Sequence, residues 1–378
     1  MINNRHFPEI HGNFGFGCMR LPMLDPETID IEQMKQMVDE FLSAGFNYFD
    51  TAHPYHNKKS EPAVREALTS RYPRERFLLA DKMSSSFFDS EESVREQFLK
   101  QLAICGVEYF DFFLMHALSA ENYEKYKRCN VYNVLKQLKS EGKIRHLGFS
   151  FHDKPEMLEM ILSECPEAEF VQLQFNYIDY DDPVVQSKAC YDVCLRHGKP
   201  VVVMEPVKGG TLVNLPPAAA AAFDALTASS SRASYALRFV GGFPNVAMIL
   251  SGMSNIDQMR DNIRAMRDFE PLSEEEMAAV EKARSAIRSL GTISCTGCRY
   301  CTEVCPQDII IPEVMAILNM QKMYAGGGNS WQYWSLIKGH GKASDCLECG
   351  ACEARCPQHL PIRSLLEEAV EKVEKSSD

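Results

Sequence analysis

Up to about residue 290, short apolar runs alternate with longer stretches whose apolar residues recur at helical spacing. The runs Phe14–Arg20, Asn47–Asp50, Phe77–Lys82, Phe110–His116, His146–Ser150, Phe170–Asn176, Val201–Glu205 and Ala247–Ser251 read as buried strands. Between them, Ile31–Ala44, Glu91–Cys105, Val131–Glu141, Lys154–Cys165, Val184–His197 and Ile256–Met266 read as amphipathic helices. Eight strands alternating with helices over about 270 residues predict an α/β fold of the (β/α)8 TIM-barrel type. The competing architecture, a doubly wound sheet, normally carries a glycine-rich phosphate loop after its first strand. Gly12, Gly15 and Gly17 have the wrong spacing for that loop and lead into no helical pattern.

Ser273-Glu274-Glu275-Glu276 forms a capping box that opens a helix over Glu275–Ser289, and Gly291 closes it. A domain boundary is therefore expected near 291, with residues 1–290 as the barrel and 291–378 as a small, mostly α-helical second domain. In that second part, Ile309-Ile310-Ile311-Pro312 leads into a helical pattern over Glu313–Met323. Gly326-Gly327-Gly328 and the aromatic set Trp331, Tyr333 and Trp334 follow. These aromatics fit the core of a small domain, or a wall over the barrel mouth.

In a barrel of this kind the chemistry sits at the C-terminal ends of the strands, so polar residues closing an apolar strand are the ones to weigh. The second strand ends in Asp50-Thr51-Ala52-His53-Pro54-Tyr55, the third in Lys82 and the fourth in His116. Together with Ser60-Glu61 and Ala67-Leu68, this sequence of signals resembles the aldo-keto reductase family over residues ~14–285. The resemblance implies an NAD(P)H-dependent oxidoreductase interconverting a carbonyl and an alcohol, with Asp50, Tyr55, Lys82 and His116 as the catalytic tetrad. Hydride addition leaves charge on the carbonyl oxygen, and an acid must supply a proton. Tyr55 is the candidate acid, although a phenol of reference pKa about 10 holds its proton tightly. A cation at ~4 Å contributes on the order of 4 kcal/mol at an effective dielectric of about 20, so Lys82 is expected to lower that pKa. Asp50 would hold Lys82 charged, and His116 would donate to the carbonyl oxygen.

The same resemblance assigns further residues to the nicotinamide cofactor, NADP(H) or NAD(H). Ser150 and Gln172 match positions that bond the carboxamide, with Asn176 close by. Met204 stands where many relatives place an aromatic ring over the nicotinamide. Lys208, in Glu205-Pro206-Val207-Lys208-Gly209-Gly210, resembles the cation of the pyrophosphate loop. Ser254, Gln258 and Asn262 lie in a segment resembling the one around the adenine and 2′-phosphate. The Lys-Ser pair that many relatives use on that phosphate is replaced by Gly252 and Met253, which leaves the phosphate preference open.

The tail holds a repeated cysteine pattern, Cys295-x2-Cys298-x2-Cys301-x3-Cys305-Pro306 and Cys346-x2-Cys349-x2-Cys352-x3-Cys356-Pro357. Three thiolates at intervals of three wrap one iron–sulfur cube, and the fourth, before proline, ligates the other cluster of a pair. Zinc modules instead separate two cysteine pairs by ~15–20 residues and have no use for this run. Eight ligands imply two [4Fe–4S] clusters, and the pattern resembles alpha-helical ferredoxin modules. Crossed pairing sets Cys295, Cys298, Cys301 and Cys356 on one cluster, and Cys346, Cys349, Cys352 and Cys305 on the other. The remaining Cys18, Cys105, Cys129, Cys165, Cys190 and Cys194 have no ligand spacing and read as small buried hydrophobes.

A net charge of −12 disfavours nucleic acid as a partner. The N-terminus lacks an apolar stretch behind its charge, and no run of about 18 apolar residues suggests a membrane span. A reduced cytoplasm, poor in oxygen, is the expected setting. Nicotinamide gives two electrons as hydride whereas a cluster accepts one, and enzymes normally join the two through a flavin. No flavin motif is visible, so a flavoprotein or other electron-transfer partner is expected beside the small carbonyl or alcohol substrate. The alternative reading is an iron–sulfur electron-transfer subunit whose barrel binds a nicotinamide only as a redox sensor or docking element.

Overall fold

The computed structural model describes residues 4–224, 226, 230–323 and 330–375. Gly326–Gly328 and the side chain of Trp331 lie outside the described residues. The barrel strands are β1 (Phe14–Gly17), β2 (Tyr48–Asp50), β3 (Leu78–Met83) and β4 (Phe110–Leu118). They continue as β5 (Ile144–Phe151), β6 (Phe170–Gln174), β7 (Val201–Met204) and β8 (Val246–Gly252). Each pairs in parallel with its sequence neighbour, and β8 pairs with β1, which closes the barrel. All eight expected strands are present. The first expected run stops at Gly17, short of Arg20.

Tyr48, Leu78, Ala80, Phe112, Leu114, Phe170, Val202, Met248 and Leu250 form one buried cluster with Phe7 and Ile10. Phe7 meets Phe112 edge-on at 5.1 Å, closing that cluster with an aromatic contact. Gly148 is required where β5 meets β6, because a Cβ there would lie 2.6 Å from the Phe170 carbonyl oxygen.

Helices Ile31–Ser43, Glu91–Cys105, Val131–Ser140, Pro155–Glu164, Ser187–Arg196 and Ile256–Arg267 follow the expected pattern within a few residues at their ends. Others escaped it. Ala120–Arg128 is polar apart from Ala120, Tyr123 and Tyr126, and Pro217–Asp224 is an alanine run without a polar face to give it a period. Ser60–Val64 and the wider π turn Arg65–Thr69 cover the Ser60-Glu61 and Ala67-Leu68 signals read as a motif.

The chain divides into two compact units, Met1–Pro206 with Ala233–Leu272, and Val207–Arg232 with Ser273–Asp378. The barrel strands all belong to the first. Helix Glu274–Ser289 opens at the expected capping box and packs on Pro217–Asp224 in the second, so compactness does not follow a single cut at 290.

The second unit is built as a repeat. Gly297 and Glu348 take left-handed φ after the first cysteine of each run, Arg299 and Gly350 do so before the short helices Tyr300–Glu303 and Ala351–Ala354, and Asp308 and His359 do so after each Cys-Pro. Helices Ile311–Met323 and Ile362–Ala369 then follow in matching places. Their apolar faces pack with Ile293, Ile309, Ile337 and Tyr333 into one core. Tyr333 is therefore a core residue whose hydroxyl accepts the Ala343 N–H at 2.7 Å, while Trp334 is exposed.

Candidate active site and cluster sites

The barrel brings the four expected tetrad residues to the C-terminal ends of adjacent strands. Lys82 Nζ donates to Asp50 Oδ1 at 2.6 Å and to the Thr51 carbonyl oxygen at 2.7 Å. It also lies 4.9 Å from the centre of the Tyr55 ring. The Tyr55 and His116 rings meet edge-on at 5.8 Å. Tyr55 is placed by a tight turn, its N–H donating to the Ala52 carbonyl at 3.0 Å, followed by left-handed residues at His56, Asn57 and Lys58. His116 Nδ1 shares a 2.5 Å hydrogen bond with Ser84 Oγ, which orients the imidazole.

One expectation is corrected. Burial, followed by the charges of Asp50, Asp81 and Glu205, raises the Tyr55 phenol well above its ordinary range. Burial and these charges outweigh the expected lowering by Lys82, whose ammonium is bonded to Asp50 at 2.6 Å. Burial also raises the Asp50 carboxyl, against the opposing pull of Lys82.

Ser150 and Gln172 are register partners across β5 and β6. Ser150 Oγ accepts the Ala117 N–H at 2.7 Å, which leaves its own O–H to donate. Gln172 Oε1 is buried without a hydrogen-bond partner. One donor beside one acceptor is the complement of a primary amide, so the pair fits the carboxamide of a nicotinamide. Asn176 donates to Asp179 at 2.6 Å and to the Glu205 carbonyl at 3.0 Å, and so holds the end of β7. Met204 is half-buried at the end of β7, opposite Gln174.

The remaining cofactor candidates are dispersed. Lys208 is buried in the second unit and donates to Gln358 Oε1 at 3.3 Å. Ser254 is exposed, its N–H donating to Gln258 Oε1 at 2.8 Å, beside the N-cap of helix Ile256–Arg267. Asn262 is buried and donates to Ser251 Oγ at 2.8 Å, which ties the helix to β8. Arg20 escaped the sequence reading; it pairs with Glu205 at 3.0 Å. Ser84 escaped it as well, since a serine gives no sign of its long-range partner.

In the second unit, Cys305, Cys346, Cys349 and Cys352 line one hollow. Burial, then the neighbouring sulfurs of Cys298, Cys295 and Cys356, pushes the Cys301 thiol up, so those four form the other group. Burial likewise pushes Cys352 up to about 11. None of the eight is joined in a disulfide. Two groups of converging sulfurs, with Arg363 beside the group in the hollow, fit iron–sulfur clusters, whose metal would stabilise the thiolates. The grouping follows the crossed pattern.

A closed parallel barrel with Asp, Tyr, Lys and His at neighbouring strand ends defines an oxidoreductase scaffold. The profile of the aldo/keto reductase family matches residues 13–285, and that of the 4Fe-4S dicluster domain matches residues 294–360. The chain belongs to the aldo/keto reductase family and carries a 4Fe-4S dicluster domain behind it. It is 25% identical over 297 residues to the uncharacterized oxidoreductase YqkF of Bacillus subtilis, covering 71% of this chain and 90% of that one. It is 28% identical over 195 residues to the NADH-specific methylglyoxal reductase of Escherichia coli, covering 46% and 57%. Among solved structures, an aldo-keto reductase from Bacillus halodurans in its holo form superposes with a TM-score of 0.60 at 24% identity, covering 72% and 91%. One from Klebsiella pneumoniae in complex with NADPH gives 0.58 at 18% identity, covering 71% and 90%. Among the described residues, no helix is long and apolar enough to cross a membrane.

Proposed function

We propose that this protein reduces a small carbonyl compound, or oxidises the corresponding alcohol, with NAD(P)H, and that its tail exchanges single electrons with a partner. The observation that carries the reading is Lys82 held between Asp50 and the Thr51 carbonyl, directly beside Tyr55. Tyr55 would supply the proton, and His116, oriented by Ser84, would donate to the carbonyl oxygen. Lys82 would counter the charge that develops there. Ser150 and Gln172 would orient the carboxamide. When bound, the nicotinamide supplies the hydride. The Escherichia coli relative's name supports a small aldehyde as the substrate class. The names of that relative and of the Klebsiella structure pair NADH with one and NADPH with the other, so either nucleotide suits the reading.

By the ligand count, Cys295, Cys298, Cys301 and Cys356 would hold one [4Fe–4S] cluster and Cys305, Cys346, Cys349 and Cys352 a second. One-electron clusters and a two-electron cofactor need an intermediary, so a flavin carried by a partner protein completes the scheme. Steady-state assays of small aldehydes with NADH and NADPH test the enzymatic reading. Multiple turnovers per protein support it, and oxidation of one cofactor equivalent with no product contradicts it.

A further inference from the structure

Successive side chains on a strand face opposite ways, so Asp81 points away from its neighbour Lys82, into the layer between barrel and helices. There Glu61, Asp81 and Cys105 bring a carboxylate oxygen, a carboxylate oxygen and a sulfur within 4.8 Å of one another, all three residues fully buried. His53 Nδ1 bonds Glu61 Oε2 at 2.6 Å, and Gln101 Nε2 donates to Glu61 Oε1 at 3.1 Å. The Lys82 N–H donates to Asp81 Oδ1 at 2.8 Å, and Cys105 Sγ to Asp81 Oδ2 at 3.8 Å. A further hydrogen bond joins the two carboxyl groups, and two carboxylates have no proton to make it. The Lys82 ammonium makes its hydrogen bonds to Asp50 and Thr51 and acts on Asp81 only through its field, which burial outweighs.

The same groups grip the peptide of Lys82 from both sides. Asp81 takes its N–H, and Gln101, while bonded to Glu61, donates to its carbonyl oxygen at 3.1 Å. We propose that Asp81 and Glu61 form a proton-sharing carboxyl pair that positions Lys82 and sets the pH range over which the tetrad works. The inference rests on the carbonyl-reductase reading. Asp81 and Glu61 are positioning residues, since they act on the reacting atoms only through Lys82 and through their charge.

The direction of the effect follows from that charge. With two protons the pair is neutral; with one it carries a negative charge behind the site where an oxyanion develops. Asp81 is among the groups whose charge tightens the hold of Tyr55 on its proton. Burial pushes Glu61 up to about 7 and Asp81 well above its ordinary range, so the first charge of the pair, which Asp81 shares through the common proton, appears near neutral pH. The groups facing the pair leave that step in place. Burial lowers His53 against the opposing charge of Asp81, Lys100 and Lys58 act on the cluster only through their field, Asp50 is matched by Lys82, and burial raises the Cys105 thiol.

The test is the pH profile of kcat/KM in the full-length, cluster-loaded protein for the wild type, Glu61→Gln and Asp81→Asn, with Tyr55→Phe as the control for the tetrad. The wild-type rate should fall as pH rises through neutrality. Glu61→Gln should flatten that limb, raising the rate at ~pH 8.5 relative to ~pH 6 by about tenfold over the wild-type ratio. Infrared spectra, which need no turnover, should contain a buried protonated carboxyl band at neutral pH that the double variant Glu61→Gln, Asp81→Asn removes. An active Glu61→Gln enzyme with the wild-type profile overturns the proposal. So does the absence of the band, or a metal ion bound at Glu61, Asp81 and Cys105. A wild type without Tyr55-dependent turnover strikes the functional reading instead, and the infrared band still decides whether the proton is shared.

Discussion

Lys82 Nζ lies 2.6 Å from Asp50 Oδ1, and the two side chains are only 1% and 5% exposed. Charges taken out of water together are tolerable as a pair and costly apart. Asp50→Asn should therefore destabilise the protein by about 3–5 kcal/mol. Adding Lys82→Met removes the stranded charge, so the double variant should be more stable than the summed single effects by more than ~1 kcal/mol. Denaturant unfolding of the four proteins measures this, and simple additivity would mean that the pair contributes nothing as a pair.

Most of the barrel was legible because each strand is an apolar run bounded by polar residues, and the tetrad because its members stand where those runs end. Lys82 was visible as a charge closing Leu78-Leu79-Ala80-Asp81. Asp81, beside it, was equally visible and was passed over, since one sequence does not say which face of a strand meets a helix carrying Glu61. Partners far apart in sequence, such as His116 with Ser84 or Arg20 with Glu205, leave no local signal. Lys208 read as part of the barrel because of its place after β7, yet its hydrogen bond goes to Gln358, beyond the last cluster cysteine.

Gly209 adopts φ +61°, and a Cβ there would sit 2.2 Å from the Thr296 carbonyl oxygen. Gly209→Ala must shift either the 208–210 turn or the chain between Cys295 and Cys298. A loss of about 1–3 kcal/mol is expected for backbone strain of this kind. Because Thr296 lies inside the first cysteine run, the variant should also hold its iron less firmly. Iron release to a chelator at the wild-type rate would contradict this.

The crossed cysteine grouping predicts which cluster each terminal cysteine serves. Cys356→Ser should disturb the cluster held by Cys295, Cys298 and Cys301, whereas Cys305→Ser should disturb the one held by Cys346, Cys349 and Cys352. Iron content near eight atoms in the anaerobically prepared wild type, followed by EPR of each variant, separates the cases. Selective loss of the second cluster in Cys356→Ser would refute the crossing.

His146 stands between two carboxylates, 2.6 Å from Glu9 and 2.9 Å from Glu169. Although burial alone would lower it, the bonds to Glu169 and Glu9 leave the imidazole raised above its usual range. Burial also opposes the charge on Glu169, but His146, Lys139 and the Leu147 N–H bring it down to about 2. A raised histidine stabilises the fold below its unfolded pKa and loses that contribution as pH rises through the folded value. A depressed carboxyl stabilises above its unfolded pKa and loses that contribution as pH falls toward about 2. Melting temperature should therefore be highest between roughly pH 4 and neutrality. His146→Asn should blunt both flanks, and a variant with the wild-type pH dependence would remove the triad from the account.

The most direct measurement is carbonyl turnover by the full-length protein and by Tyr55→Phe, with nicotinamide binding followed in parallel. Tyr55→Phe removes a proton donor and no predicted cofactor contact, and a general acid typically contributes ~10²–10⁴-fold. The account predicts a rate lower by that factor with cofactor affinity nearly unchanged. A Tyr55→Phe enzyme that turns over as fast as the wild type would contradict it.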